Sequence, residues 1–329
     1  MVFRYKYDKK VVAIGGGTGL SNLLRVLKEL TPNLTAVVAM TDNGGSSGKL
    51  RQEFGMLPPG DIRSCLVALS RQEPDMERLL SYRFPEDGTL SGHNVGNILL
   101  AAIMQAEGLD FASATARLSN LLAISGRVLP ATTDDVSLGA VLEDGTVLLG
   151  ETQIAADSRA VRRLFLQADS CRPRPEVLAA IAEADYVFIG PGSIYSSLIS
   201  NLLVPGLARA LHESKCRVCY LANMATEPAE LPSVNLSDSY RLLEEYFRRE
   251  TGLAAGLIDI VIANNGCFSA AAQQSLAANN SQPIICDSAA FGGLRLITAD
   301  FVDNLNCWQH NRAKLAPVLA ALLAEEVQV

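Results

Sequence analysis

Short apolar runs alternate with amphipathic stretches along the whole chain. Residues 11–14, 36–40, 186–189, 217–221, 258–263 and 283–286 are predicted strands. Most are almost uninterrupted apolar runs, the pattern of a strand covered on both faces. Residues 20–29, 61–70, 94–106, 111–122, 158–166, 175–184 and 239–248 carry helical periodicity. Such alternation predicts an α/β protein with a mainly parallel sheet. One stretch departs from it. Two short apolar runs flank Glu143-Asp144-Gly145, which predicts a β-hairpin with an Asp-Gly turn, inserted around residues 136–152. No linker rich in Pro, Gly or Ser divides the chain, so residues 1–329 read as one α/β unit.

Composition narrows the function classes. Hydrophobic residues make up 49% and charged residues 19%, too apolar for wholesale disorder. The net charge of −7 argues against binding nucleic acid through phosphate neutralisation. Turn residues and charges interrupt every apolar stretch before it reaches membrane-spanning length. The run at 11–14 is too short for a signal-peptide core, so the sequence predicts a cytoplasmic protein without a membrane role. Seven cysteines, mostly in apolar runs, read as buried thiols rather than a disulfide framework. Cys216 and Cys219 have redox-like spacing but fall within a predicted strand, where buried thiols are the better reading.

Candidate chemistry collects in glycine-rich loops. The first strand runs into Gly15-Gly16-Gly17-Thr18-Gly19 and then a helix. Glycines admit an anion close to the backbone, and a helix N-terminus offers free N–H groups, so the loop suits a phosphate or diphosphate. Neither the dinucleotide fingerprint nor the Walker pattern is met, because Leu20 occupies the sixth position and no Gly-Lys-Ser/Thr follows. The second strand ends in Asp42-Asn43-Gly44-Gly45-Ser46-Ser47-Gly48. Asp42 could take ribose hydroxyls, hold a hydrated magnesium ion, or simply form an Asx turn. A formal match of residues 44–48 to the nucleophile elbow is set aside as a chance product of a Gly/Ser-rich loop.

Three further stretches add polar groups. Asp61, in Gly60-Asp61-Ile62-Arg63, is predicted as a helix N-cap, with Asp61 and Arg63 lining the same pocket as Asp42 as the functional alternative. In Gly92-His93-Asn94-Val95-Gly96-Asn97, Asn94 and Asn97 share a helix face. The three histidines do not form a metal-ligand spacing, so no zinc site is predicted. Gly190-Pro191-Gly192-Ser193-Ile194-Tyr195 again follows a buried strand. If that strand flanks the first, both loops open at the carboxyl edge of the sheet, at the switch point where open α/β sheets bind ligands. Residues 227–235, which carry prolines, read either as a lid or as a docking surface.

Taken together, these motifs and Leu202-Leu203-Val204-Pro205-Gly206 resemble the gluconeogenesis-factor (YvcK-type) family, a relative of 2-phospho-L-lactate transferase (CofD-type). The resemblance covers residues 11 to about 315. It implies a three-layer α/β/α, doubly wound, Rossmann-like fold, a homodimer and a cytoplasmic regulator of gluconeogenic growth, cell shape and cell-wall synthesis. That regulator would bind UDP-N-acetylglucosamine or another nucleotide diphosphate and act through a cell-wall-synthesis protein. The transferase branch implies instead the movement of a phospholactyl group from a guanosine diphosphate donor to a deazaflavin, with Mg2+. Asp42 would then be the catalytic and metal-holding residue.

Local departures bear on the branch. Asn43 stands where many members carry a second acid, and Gly190-Pro191-Gly192-Ser193-Ile194 replaces the transferase branch's Gly-Pro-Ser-Asn-Pro. Gln309-His310-Asn311 stands where many YvcK-type members read Arg-His-Asp, which adds His310 to the candidate ligand contacts. An NAD-dependent oxidoreductase is a further alternative, because Asp42 suits a ribose, but no His/acid catalytic pair supports it.

Overall fold

The computed structural model describes residues 6–85, 87–228, 230 and 233–325. Its strands are β1 (Val11–Gly15), β2 (Leu34–Val38), β3 (Arg127–Pro130), β4 (Ser137–Leu142), β5 (Val147–Leu149), β6 (Val161–Gln167), β7 (Tyr186–Ile189), β8 (Arg217–Leu221), β9 (Ile260–Asn264) and β10 (Arg295–Ala299). Seven of them form one parallel sheet in the order β10-β9-β8-β7-β1-β2-β3. The chain winds outward from β1 in one direction through β2 and β3. It then returns to place β7 on the other side of β1. The switch point therefore lies between β1 and β7, where Ile14 pairs with Ile189.

The period of two along each strand separates two cores. Val11 and Ala13 of β1, Tyr186 and Phe188 of β7, and Ile260 and Ile262 of β9 face one helical layer, which includes Gly17–Leu27, Gly60–Leu69 and Arg312–Leu323. Val12, Ile14, Val187, Ile189, Val261 and Ala263 face the other, which includes Pro175–Ala182 and Leu236–Thr251. Both faces of every central strand are thus dry. That is why these strands read as continuous apolar runs. Among the described residues, no single helix is long and apolar enough to cross a membrane.

The predicted hairpin is β4 and β5, joined at Asp144-Gly145, but it belongs to a three-stranded antiparallel sheet in the order β5-β4-β6. Its third strand falls on residues predicted as the helix 158–166. The buried Leu164 of β6 packs beside Leu138 and Ala140, and the ladder to β4, with a register shift that leaves Arg162 unpaired, wins over helical spacing. Residues 283–286 are not a strand; Pro283 and Ile285 make only isolated bridges. The sheet edge is formed instead by β10, whose partly exposed residues and single flanking neighbour give it a weak apolar pattern. A helix also follows Gly44 directly, Gly45–Phe54, although its sequence is too polar to announce one.

Candidate functional site

A cleft of about 320 Å³ opens at the switch point, between the loops that follow β1 and β7. The first wall is Gly16, Gly17, Thr18 and Gly19, at the start of helix Gly17–Leu27. Two of these glycines are required by close approach. A Cβ on Gly16 would lie 2.6 Å from Asp61 Oδ2, and one on Gly19 would lie 2.4 Å from the Pro191 carbonyl oxygen. Gly19 therefore lets the helix pack against the second loop, while Gly16 leaves room for a carboxylate. Gly17 has a φ of +57°, which a side chain rarely adopts.

Pro191, Gly192 and Ser193 form the opposite wall. Asn223, which follows β8, clamps this loop. Its Oδ1 accepts from the Gly192 N–H at 2.9 Å, and its Nδ2 donates to the Gly192 carbonyl at 2.9 Å. Beyond Ser193, a wide helical turn, Ile194–Ile199, adds Ser196 and Ser197 to the cleft lining. Glu230 covers the start of that turn. Its carboxylate accepts from the Ile194 N–H at 2.8 Å and from the Ser193 hydroxyl.

Acidic groups crowd the floor. Asp61 takes a hydrogen bond from the Gly17 backbone, yet burial, then Asp42 and Glu151, push its pKa up to about 7. Burial and Asp42 likewise push Glu151 up to about 7. Glu227 and Glu230 are raised by burial and by acidic neighbours, Glu151 for the first and Glu227 for the second. Unneutralised carboxylates gathered in this way suit a cation, and Mg2+ is commonly held by one or two carboxylates with water and phosphate completing its shell. Asp61 is the cleft-lining carboxylate that would hold it, with Asp42 behind; among the described residues no cluster of three or more His, Cys, Asp or Glu is placed to hold a metal ion. His310 closes the far side; burial lowers its pKa to about 4, so it is neutral near pH 7. Its Nε2 is buried without a hydrogen-bond partner among the described residues.

The predicted site residues divide into two groups. Gly16, Gly17, Thr18, Gly19, Asp61, Pro191, Gly192, Ser193 and His310 line the cleft. The others do not. Gly15 ends β1 and Gly190 begins the second loop behind the lining. Tyr195 is buried in the core. Asp42 stands behind Asp61 and forms the Asx turn, with its Oδ1 accepting from Gly44 N–H at 2.9 Å. Asn43 turns away, its Oδ1 accepting from the Thr152 N–H at 3.1 Å. Ser46 is bound by His93 Nδ1 and Asn97 Nδ2, each at 3.1 Å, and Ser47 accepts from Gly60 N–H at 3.2 Å. Gly44 caps helix Gly45–Phe54, and Asn94 caps helix Val95–Glu107 through the Gly96 N–H. Asp61 is not an N-cap: Pro59 holds that position, which frees the Asp61 carboxylate to reach Gly17.

Ser196, just past the predicted Gly190–Tyr195 loop, and Glu227, at the start of the 227–235 stretch, also line the cleft, as do Asn22, Glu151, Asn223 and Trp308, which the sequence did not single out. Of the latter, only Asn223 carried a usable signal, its position just past a strand at the carboxyl edge. Glu151 and Glu227 arrive from the small sheet and from a proline-bearing segment, whose positions no local pattern gives.

A doubly wound α/β fold with paired glycine-rich loops at its switch point defines the class. The chain belongs to the family described as 2-phospho-L-lactate transferase CofD, which matches residues 11–302, and within it to the gluconeogenesis factors (YvcK-type). It is similar to the gluconeogenesis factor of Bacillus subtilis, 37% identical over 319 residues, 96% of this chain and 98% of that one. It is also 37% identical to the gluconeogenesis factor of Halalkalibacterium halodurans over 314 residues, 94% of this chain and 95% of the relative. A crystal structure of a protein from Bacillus halodurans superposes with a TM-score of 0.88 at 37% identity, covering 97% of this chain and all of that one.

Proposed function

We propose that this gluconeogenesis factor binds a nucleotide diphosphate sugar, of the UDP-N-acetylglucosamine kind, as a regulator of gluconeogenic growth, cell shape and cell-wall synthesis. The observation that carries the reading is the meeting of two glycine-rich loops, after β1 and β7, across one switch-point cleft, with helix Gly17–Leu27 starting at the first of them. Helix N-termini and glycine-rich turns favour phosphate oxygens. The orphaned Nε2 of His310 is a buried acceptor, since the other ring nitrogen donates to the Ala222 backbone, and a ligand hydroxyl would satisfy it. A divalent cation between Asp42, Asp61 and the diphosphate would neutralise the acidic floor. The sugar and base identities rest on the family resemblance and on the loop reading Gly190-Pro191-Gly192-Ser193-Ile194.

Calorimetric titration with UDP-N-acetylglucosamine, GDP and NAD in parallel, with Mg2+, tests this reading. Saturable binding of the UDP-sugar in preference to the other two is the expected result. Preference for GDP, or no binding, overturns it. A homodimer and a partner in cell-wall synthesis complete the proposal, read by light scattering and by recruitment in the ligand-bound form.

One observation favours transfer chemistry as a second reading. Asn43 does not deplete the cleft of acid, because its side chain serves Thr152 and Asp61 supplies the second carboxylate beside Asp42. A metal-assisted transferase would use that pair to hold Mg2+ against the donor diphosphate. Release of nucleotide from a guanosine diphosphate donor in the presence of Mg2+ and a deazaflavin acceptor would favour this reading; no release above background removes it for that pair.

A further inference from the structure

A second hollow, of about 410 Å³, lies beside the cleft along helix Gly17–Leu27. It shares Thr18, Asn22 and Gln309 with the cleft. Its walls carry Arg25, Arg63, Arg83 and Arg312 against one acid, Glu77. With Arg25 ion-paired, Arg63, Arg83 and Arg312 are the hollow's remaining cations among the described lining residues, in a chain whose net charge is −7. The four arginines come from four separate elements, so the fold, not a local run of sequence, gathers them.

The hollow is built around Arg63. Its Nη1 donates to Ser81 Oγ at 2.9 Å and its Nη2 to Ser64 Oγ at 3.1 Å, both neutral hydroxyls. Its Nε is buried with no hydrogen-bond partner among the described residues. A Cβ on Gly96 would lie 2.8 Å from Arg63 Cγ and Cδ, so the glycine makes room for the arginine stem. Arg83 is held by its antiparallel bridge to Asn94, which also lines the hollow, and by donation from Nη1 to the Gly92 carbonyl. Arg25 is paired with Glu77 at 3.2 Å, and Asp61 acts on Arg63 from the cleft side. No lining carboxylate is paired with Arg83 or Arg312 among the described residues. Gathering guanidinium groups around one polar hollow, open to solvent on the side of Arg83 and Arg312, makes it a favourable place for an anion. A phosphate, which arginines bind bidentately, is the group that fits.

We infer that this hollow is a second anion site, which takes the phosphate group of inorganic phosphate or of a phosphorylated small molecule, apart from whatever fills the glycine-lined cleft. Residues shared by the two sites make occupancy of one felt at the other, so the phosphate ligand is an effector or co-ligand of the cleft.

Two probes test it, inorganic phosphate and 3-phosphoglycerate, each titrated calorimetrically against the full chain. Saturable binding of at least one is expected, and the better binder distinguishes free phosphate from an organic phosphate. Arg83→Gln combined with Arg312→Gln should weaken that binding about tenfold or more, while Arg78→Gln, an exposed arginine outside the hollow, leaves it within about twofold. Arg312→Gln alone, at the exposed first position of its helix, guards against a misfolded double variant and should cost about threefold. UDP-N-acetylglucosamine is titrated against the same proteins, so loss of cleft binding with phosphate binding intact touches only the cleft. Absence of saturable binding by both probes, or unchanged affinity in the folded Arg312→Gln and double variants, overturns the inference.

Discussion

Glu230 accepts a hydrogen bond from the backbone N–H of Ile194 at 2.8 Å, at the start of the helical turn that follows the cleft-lining loop Pro191–Ser193. A carboxylate thus occupies one of the two anion cradles at the switch point. Asp61 does the same at the other, against the Gly17 backbone. A diphosphate entering the cleft must therefore displace a carboxylate, bring a cation, or do both.

Removing the Glu230 side chain should free the cradle. We expect Glu230→Ala to tighten UDP-N-acetylglucosamine binding several-fold, about 1 kcal/mol, because a side chain competing for the Ile194 N–H and the Ser193 hydroxyl is lost. Calorimetry reads the change. Weaker binding in the folded variant would mean that Glu230 contacts the ligand instead of competing with it.

The acidic floor makes stability depend on pH. Asp61 and Glu151 titrate near 7 in the folded chain, well above their ordinary values of 3.8 and 4.5. Between those values the folded state binds more protons than the unfolded state, so stability falls as pH rises from about 5 to about 8. The loss should be on the order of a few kcal/mol, visible as a melting temperature lower by roughly 5 °C or more. Asp61→Asn should flatten the profile, and Mg2+ at pH 8 should restore part of the loss. A wild-type melting temperature independent of pH and Mg2+ across this range would contradict the arrangement.

Asn43 and Asp61 can be told apart as metal ligands. Because Asn43 serves the Thr152 N–H, Asn43→Asp should change Mg2+ affinity by no more than about twofold. Asp61→Asn should lower it about tenfold. Mg2+ titration followed by thermal shift distinguishes the two. A large gain in Asn43→Asp would place residue 43 at the metal after all.

Gly19 and Gly45 make a control pair. Gly19→Ala drives a Cβ to 2.4 Å from the Pro191 carbonyl and should cost about 2 kcal/mol or more by parting the two loops. Gly45→Ala meets open space, and its cost should come only from its φ of +45°, roughly 1 kcal/mol. Chemical denaturation measures both, and equal losses would show that loop packing at Gly19 is slack.

Much of the fold was legible because buried parallel strands must be apolar on both faces. β1, β7 and β9 announce themselves in this way, and the Asp144-Gly145 turn announces β4 and β5. β6 was hidden because its lone buried leucine, set among arginines, fits a helix as well as a strand; only pairing with β4 decides between them. β10, half-exposed at the sheet edge, had too little burial to leave a pattern.

For the site, the sequence by itself determined the glycine-rich loops, because the close approaches at Gly16 and Gly19 admit no side chain and the requirement is written into residue type. It also carried the motifs by which the family is recognised. Tertiary structure alone decided which polar groups reach the cleft. Asp61 leaves its expected cap for Gly17, Asn43 turns to Thr152, Glu151 and Glu227 arrive from distant elements, and four arginines meet beside helix Gly17–Leu27. Those convergences depend on strand order and helix packing across long sequence separations. Local periodicity reports which face of an element is buried, and carries no information about what that face will meet.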